Sequence, residues 1–315
     1  MYLDNKIQNR VEEKKAKLDS FRPLSKSVLL RLREQFIIEW TYNSNAIEGN
    51  TLTLKETALV LREGLTVSGK TLQEHTEATN HKQAIELLEG FVKQKRGFSE
   101  KELLALHKII LSNIDEEFAG VYRRQRVRIL GASIVLPNPL KIPDLMKEYF
   151  HWFSVNKKKI HIIELVALAH YKLVKIHPFI DGNGRTARLI MNLILMQAGY
   201  PPAIILKQDR QKYYNTLEKA NKDDFKPFVL FVAQSVERSL GLYLESIEII
   251  DDSGSKMKNE YILLGELAKN SRYSQQYLSL LARQGKLHAI KKGRNWLSTE
   301  EALRQYIKNR QRKKN

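Results

Sequence analysis

The stretch HPFIDGNGRTAR, residues 177–188, decides the fold of this chain because it separates two apolar segments of helical spacing. Before it, residues 162–176 repeat apolar side chains at helical intervals. After it, residues 189–198 are apolar again until a glycine and two prolines end the pattern. We therefore predict two buried helices joined by this loop, with residues 182–184 at the start of the second helix.

The start of that second helix suits an anionic substrate. A helix start presents unpaired backbone N–H groups and a positive dipole end. Gly182, Asn183 and Gly184 supply these N–H groups, and the glycines let the backbone approach a phosphate closely. Arg185 and Arg188 follow in the first turn, point to the same side and can bind further phosphate oxygens. The residues therefore predict a polyphosphate site.

Two further side chains of the loop can take part in chemistry at that phosphate. Asp181 is a hard oxygen donor that can bind a Mg²⁺ ion bridging the phosphates. His177 is a natural proton acceptor beside them. The alternative is an interhelical loop whose charges are merely solvated. The convergence of six polar or glycine positions on one helix start favours a functional site.

The same stretch matches H-x-F-x-[D/E]-G-N-G-R-x-x-R at every position and resembles Fic-domain proteins, which are mostly helical enzymes that transfer AMP from ATP to protein hydroxyls. Residues 44–50, SNAIEGN, resemble the inhibitory motif [S/T]-x-x-x-E-[G/N] of that family. Residues 120–123 resemble the lead-in to its β-hairpin flap, and residues 213–228 resemble the helices that close the adenine side. From about residue 38 to residue 236, the order and spacing are similar to those of animal members.

The resemblance implies a mainly α fold, a Fic-type helical bundle with a β-hairpin flap at the strand-like stretch Val127–Leu136. We predict three regions along the chain. Residues 1–95 form an N-terminal helical region that includes the inhibitory helix, and residues 96–250 form the Fic catalytic core. Residues 256–315 form a small winged-helix domain, after a short polar linker at residues 251–255.

The resemblance also implies roles for individual residues in Mg²⁺-dependent AMP transfer. His177 accepts the proton of a serine, threonine or tyrosine hydroxyl as its oxygen attacks ATP, and Asp181 holds the metal. The remaining expected contacts with the nucleotide come from the adenine side and the flap, namely Tyr213, Tyr214, Asn221, Ile129, Gly131, Ala132 and Ser133.

Glu48 is the expected inhibitory residue. The resemblance implies that its carboxylate pairs with Arg188 and occupies the space of the γ-phosphate. In some members of the family the same glutamate supports removal of AMP from the target, so this chain could perform either reaction. The alternative is that residues 44–50 are an ordinary helix end with Gly49 as its cap.

The C-terminal region is strongly basic. Residues 256–315 contain fifteen basic and four acidic residues, a net charge of +11, out of +18 for the whole chain. Helices at residues 261–269 and 274–284, followed by a hairpin with a basic tip, resemble a winged helix-turn-helix. Residues that would contact DNA are Tyr277, Arg283, Lys291, Lys292 and Arg294. The alternative is a protein-docking module with a solvated basic face.

Composition narrows the class of protein. The chain has 315 residues and no cysteine, which excludes disulfides, thiolate chemistry and cysteine-ligated metals. It shows no apolar run long enough to span a membrane and no signal peptide, so we expect a cytoplasmic protein without membrane contact. Expected partners are a target protein, the chain itself and DNA, with a homodimer as one option. A DNA-binding regulator with a nucleotide-sensing core, or a transferase using another nucleotide or phosphocholine donor, remains an alternative.

Overall fold

We describe the protein from a computed structural model. The residues that this structure describes are 2–24, 26–129, 134–258, 262–269, 271, 273–284, 286–292, 295–300, 302–304 and 306–307. The contacts within the chain divide it into two compact units, Met1–Leu244 and Glu245–Asn315. None of the helices in the described part of the chain combines the length and the apolar character needed to cross a bilayer.

The first unit is built from α-helices, as the sequence predicts. In the described residues they are α1 (Asn5–Ser20), α2 (Lys26–Glu48), α3 (Leu54–Glu63), α4 (Leu72–Lys93), α5 (Glu100–Leu111), α6 (Ile142–Asn156), α7 (Ile162–Ile176), α8 (Asn183–Gln197), α9 (Arg210–Asn221) and α10 (Lys226–Lys258), which includes the boundary between the units.

The two predicted helices around the motif form the centre of this unit. Helix α7 packs against α8, and α8 also packs against α2, α4 and α5. Most side chains of α7 and α8 are buried on every face, which is the expected position of a helix that is apolar all round. The loop between α7 and α8 is therefore held between two buried helices.

The predicted β-hairpin is not present in the described residues of the flap. Residues 124–129 and 134–138 form no strand, while residues 130–133 lie outside the described part of the chain. The carbonyl groups of Gln125 and Pro137 bind the Arg123 side chain, so this side chain, and not a strand ladder, holds the two described ends of the flap. The alternation of apolar residues predicts a strand, but it could not show that an arginine side chain binds these carbonyl groups in place of a neighbouring strand.

The described residues of the second unit include a small sheet and short helices. Strand β1 (Ile262–Leu263) leads into α11 (Leu264–Lys269), which is followed by α12 (Gln275–Arg283), β2 (Ala289–Lys292) and β3 (Asn295–Ser298). The sheet has the order β1-β3-β2, and both pairs are antiparallel. Its core is formed by Leu264, Leu267, Leu278, Leu281, Ala282, Leu287 and Leu303.

The predicted linker at residues 251–255 was wrong, because these residues belong to helix α10. The stretch contains no proline, and a single glycine in a helix costs only about 1 kcal/mol relative to alanine. Polar residues alone therefore did not end the helix. The second unit begins at Glu245, ahead of the predicted start at residue 256.

Candidate active site

His177 occupies a constrained position directly after α7. It caps the helix in the left-handed conformation, with φ of 51°, and its N–H donates to the Leu173 carbonyl at 3.0 Å. A non-glycine residue in this region costs about 1–3 kcal/mol, so the surrounding contacts must hold it there. Burial lowers the pKa of the half-buried imidazole, and the Val174 carbonyl and the carboxylates of Glu48 and Asp181 partly oppose that shift. His177 is therefore predominantly neutral at pH 7 and can accept a proton.

Asn183 closes the loop that follows. Its side-chain oxygen accepts from the Phe179 N–H at 3.0 Å, and its side-chain nitrogen donates to the Phe179 carbonyl at 2.9 Å. Gly182 caps α8 with φ of 75°, a conformation that favours glycine. These contacts aim the first N–H groups of α8 out of the loop, in agreement with the predicted anion site.

His107 of α5 holds this loop in place. Its Nδ1 accepts from the Gly120 N–H at 2.9 Å, so its Nε2 carries the proton and donates to the Asp181 carbonyl at 3.0 Å. The ring stacks on Phe179 with a centroid separation of 3.6 Å, and burial lowers its pKa to about 4. Its helical spacing gave no sign of these two hydrogen bonds.

Arg185 is held by two carboxylates. Its Nη2 donates to Asp181 Oδ2 at 2.9 Å, and its Nη1 lies 3.3 Å from Glu77 Oε1. The second oxygen of Glu77 accepts from the Asn50 amide at 2.8 Å. The Arg185 side chain is only 3% exposed, whereas Asp181 is 66% exposed. The sequence found Arg185 and Asp181 but missed Glu77, which lies far from the motif along the chain.

Arg188 binds the end of α2. Its Nη2 donates to Glu48 Oε1 at 2.7 Å and to the Ser44 carbonyl at 2.8 Å, and its Nε donates to Ser44 Oγ at 3.0 Å. Burial alone would lower the pKa of Arg188, but the Glu48 carboxylate more than compensates and the pKa is raised. Glu48 and Arg188 thus form the ion pair expected from the sequence.

The Glu48 carboxylate also covers the start of α8. A Cβ atom on Gly184 would clash with Glu48 Oε1 and would lie 3.1 Å from Arg188 Nη1. The carboxylate therefore lies where the helix dipole and the first N–H groups favour negative charge. An anion that binds this helix start has to displace Glu48.

The last turn of α2 is anchored by residues that the sequence did not single out. Arg210 Nε donates to the Ile47 carbonyl at 2.7 Å, and its guanidinium lies 4.9 Å from the centre of the Tyr214 ring. The N–H of Lys207 donates to the Asn43 side chain at 2.8 Å. These contacts hold Glu48 in place from the side of α9.

The residues expected around adenosine differ in accessibility. Tyr213 is buried, with 1% of its surface exposed, and its hydroxyl lies 2.8 Å from His170 Nε2. Its ring is consequently not exposed for stacking on adenine. Tyr214 is half-buried. Its pKa is raised mainly by burial and in addition by the negative charge of Glu48. Asn221 ends α9 and donates to Glu218 at 3.2 Å.

The flap can be described only in part. Ile129 is half-buried, whereas the expected nucleotide contacts Gly131, Ala132 and Ser133 lie outside the described residues.

The described residues offer limited ligands for a metal. No group of three or more histidine or acidic side chains that could hold a metal ion occurs among them. Asp181 supplies a single exposed carboxylate. This donor set fits Mg²⁺, which is commonly bound by one or two carboxylates together with substrate phosphates and water.

Comparisons with known proteins agree with this geometry. The profile of the Fic/DOC family matches residues 97–195. The protein adenylyltransferase Fic of Drosophila virilis is 41% identical over 243 residues, which cover 77% of this chain and 50% of that protein. The chain thus spans about half the length of the curated relatives it matches.

Two solved structures are similar over most of their length. A Fic domain containing signaling protein from Bacteroides thetaiotaomicron has a TM-score of 0.72 and 30% identity, with 76% of this chain and 97% of that chain covered. Fic-1 from C. elegans has a TM-score of 0.69 and 34% identity, with 78% of this chain and 72% of that chain covered.

Proposed function

This chain belongs to the Fic/DOC family, and we propose that it transfers AMP from ATP to a serine, threonine or tyrosine hydroxyl of a target protein or of itself. The observation that supports this most directly is the placement of a neutral histidine, His177, beside the start of α8, where Arg188 pairs with the Glu48 carboxylate. The names of the curated relatives support the same reaction.

In the proposed reaction, the hydroxyl oxygen attacks the α-phosphorus of ATP. His177 accepts the hydroxyl proton as the new oxygen–phosphorus bond forms. The bond between the α-phosphorus and the bridging oxygen breaks, and pyrophosphate leaves with the electron pair. The product is an AMP ester of the hydroxyl, and His177 returns its proton to solvent or to the pyrophosphate.

The phosphates are bound by the start of α8. The N–H groups of Gly182, Asn183 and Gly184 supply neutral donors, and Arg188 supplies a charge once Glu48 is displaced. Arg185 contributes positive potential from its buried position between Glu77 and Asp181. Asp181 would hold Mg²⁺, which, when bound, neutralises charge that develops on the phosphates.

Glu48 inhibits the reaction in this proposal. Its carboxylate occupies the anion site of α8 and takes the hydrogen bond that Arg188 would give to the γ-phosphate. Like charges also disfavour the triphosphate while Glu48 remains there. Because a carboxylate beside the modified hydroxyl can orient water, the same residue could support AMP removal.

The test is labelling by the Glu48→Gly variant. Purified protein is incubated with Mg²⁺, labelled ATP and cell lysate, and the labelled bands are identified by mass spectrometry. We expect strong labelling of the chain itself and of target proteins, and loss of labelling by about 10²–10⁴-fold in Glu48→Gly/His177→Ala. Parallel reactions with GTP, CTP, UTP and CDP-choline test the other donors. Labelling that survives the His177→Ala change would refute the proposed base.

The second unit supports a second candidate function, DNA binding. Its order β1, α11, α12, β2, β3, with β1 added to the hairpin, is compatible with the predicted winged helix-turn-helix. Arg283 at the end of α12 and Lys291 in β2 are exposed. Tyr277 is half-buried and packs on Tyr273 with ring centroids 5.4 Å apart.

The side chains of the remaining predicted DNA contacts, Lys292 and Arg294, are not among those that the structure describes. Arg294 is not among the described residues, and Lys292 is described only as part of strand β2. Gel shifts of the full chain over a salt series test the function. The substitutions Arg283→Gln and Lys291→Gln should weaken binding to duplex DNA. They should also reduce the steepness with which the logarithm of the binding constant falls with the logarithm of salt concentration, by roughly 1 per lost phosphate contact. Lys101→Gln on α5 is the control, and no shift at low salt would favour protein docking.

A further inference from the structure

Arg123, next to the flap, is a buried arginine without an acidic partner. Its residue surface is 2% exposed, and among the described residues no carboxylate forms an ion pair with it. Taking a charge out of water is costly unless it is paired or fully hydrogen-bonded. An apolar side chain of similar size would avoid that cost, but it could not donate hydrogen bonds to the backbone carbonyl groups around it.

The Arg123 side chain binds three separate segments. Its Nε donates to the carbonyl of His177 at 2.7 Å, its Nη1 to the carbonyl of Gln125 at 3.0 Å, and its Nη2 to the carbonyl of Pro137 at 2.9 Å. Gln125 lies on the first described stem of the flap and Pro137 on the second. A planar guanidinium can serve three carbonyls in fixed directions, whereas a lysine ammonium cannot reproduce that fork.

The backbone of Arg123 adds a fourth contact to the same turn. Its N–H donates to the carbonyl of Pro178 at 2.9 Å. Residue 123 therefore binds both carbonyls of the His177-Pro178 pair, where His177 holds the strained left-handed conformation. The contacts with Gln125 and Pro137 set the separation of the flap stems, which no described strand pairing sets.

We propose that Arg123 is a positioning residue for AMP transfer, which holds the backbone of the base and both stems of the flap in one fixed arrangement. The inference rests on the proposed function. A displacement of about 1 Å at a reacting group can cost roughly 10²-fold in rate, so a rigid connection between base and flap has a large effect.

The charge of Arg123 gives this role a second signature. Burial is the main cause of the lowered pKa of His177, and Arg123 lowers it further, against the Val174 carbonyl, Glu48 and Asp181. Loss of the Arg123 charge should raise the pKa of His177. The acid limb of the rate profile should then move to higher pH, because the base must be neutral.

The experiment compares Arg123→Met, Arg123→Lys and Arg124→Met, each in the Glu48→Gly protein. Self-modification is measured against ATP concentration and pH, with melting temperature as a check on folding. We expect Arg123→Met to lose about 10–10²-fold in maximal rate, with little change in the ATP concentration that gives half of that rate. The acid limb of its pH profile should lie at higher pH than in the parent. Arg123→Lys should lose a similar factor but keep the parent acid limb. Arg124→Met removes the same charge from an exposed neighbour and should match the parent.

Two results would overturn the proposal. One is an Arg123→Met protein with the parent rate and pH profile. The other is a rate loss that only follows the folded fraction, with an unchanged acid limb. If the Glu48→Gly parent labels nothing, the proposed function has failed. An NMR titration of the His177 ring then still tests the charge effect of Arg123. A raised pKa of His177 in Arg123→Met supports that effect, and an unchanged pKa refutes it.

Discussion

Arg185 and Arg188 lie in the first two turns of α8 and are almost equally buried, at 3% and 2% exposure, but their partners differ. Arg185 is held by Glu77 from α4 and by Asp181 of its own loop. Arg188 is held by the end of α2, where Glu48 is 33% exposed and covers the anion site. One arginine is thus fixed by interior structure, and the other is paired with a carboxylate that an incoming phosphate can replace. The following predictions test this difference.

Arg188→Ala in the Glu48→Gly protein should show the largest effect. Removal of the competing carboxylate cannot restore a missing phosphate ligand, so we expect transfer to fall by about 10²-fold or more relative to Glu48→Gly alone. Self-labelling with ATP measures it, and Arg188→Lys shows how much a charge without the fork recovers. A double variant as active as Glu48→Gly would place the phosphate contact elsewhere.

Glu48→Gln should activate the enzyme while preserving the shape of the side chain. The neutral amide no longer repels the triphosphate, and we expect labelling to rise by roughly 5–150-fold, the usual range for a regulatory coupling. Because Arg188 is buried and loses a charged partner but keeps its Ser44 contacts, the change should cost about 1–3 kcal/mol in unfolding free energy. An inactive Glu48→Gln protein would mean that residues 44–50 are only a helix end.

Glu77→Gln should give the opposite result. Glu77 is 15% exposed and pairs with Arg185, so neutralising it weakens a buried interaction and should cost about 1–3 kcal/mol in unfolding free energy. We expect no activation, because Glu48 still covers the start of α8. Denaturant unfolding and ATP labelling of the same preparation test both statements. Activation equal to that of Glu48→Gln would remove the distinction between the two arginines.

The pH dependence of AMP transfer by the Glu48→Gly variant should reflect the protonation of His177, the proposed base. The folded-state pKa of His177 lies below its ordinary value because of burial, and Glu48 opposes that shift. Without Glu48 the pKa falls further, so activity should persist below pH 6.5 and decline only as the pH falls through the depressed value. Maximal labelling rates at several pH values are compared with those of Glu48→Gln. An acid limb above pH 6.5 would contradict a lowered pKa of the base.

Ser44→Ala should give the smallest effect. It removes the hydrogen bond between Ser44 Oγ and Arg188 Nε but leaves the Ser44 carbonyl and Glu48 in contact with Arg188. One such bond to a charged group contributes about 1.5–3 kcal/mol at most, and the remaining contacts reduce its effect. We expect activation of only a few-fold in the labelling assay. Activation as large as that of Glu48→Gln would make Ser44 the main inhibitory contact.

The sequence by itself determined the helical fold around the motif and most of the residues at the site. Helices α7 and α8 follow from apolar spacing, and the end of α8 follows from Gly199, because these are local properties of the chain. The pair Glu48–Arg188 followed from the family motif, and the structure has it. The described residues of the expected hairpin form no strand, and the expected linker at residues 251–255 is helical, since both depend on which partners a segment finds.

Only the tertiary structure decided how the site is supported. The partners Glu77, His107 and Arg123 are distant from the motif in sequence, and their hydrogen bonds depend on how the helices pack. The burial of Tyr213 also required the fold, because a tyrosine that packs and one that stacks on a ligand look identical in sequence. Local patterns specify helices and chemical groups, but the direction of each buried polar side chain is set by long-range contacts that bring its acceptors into reach.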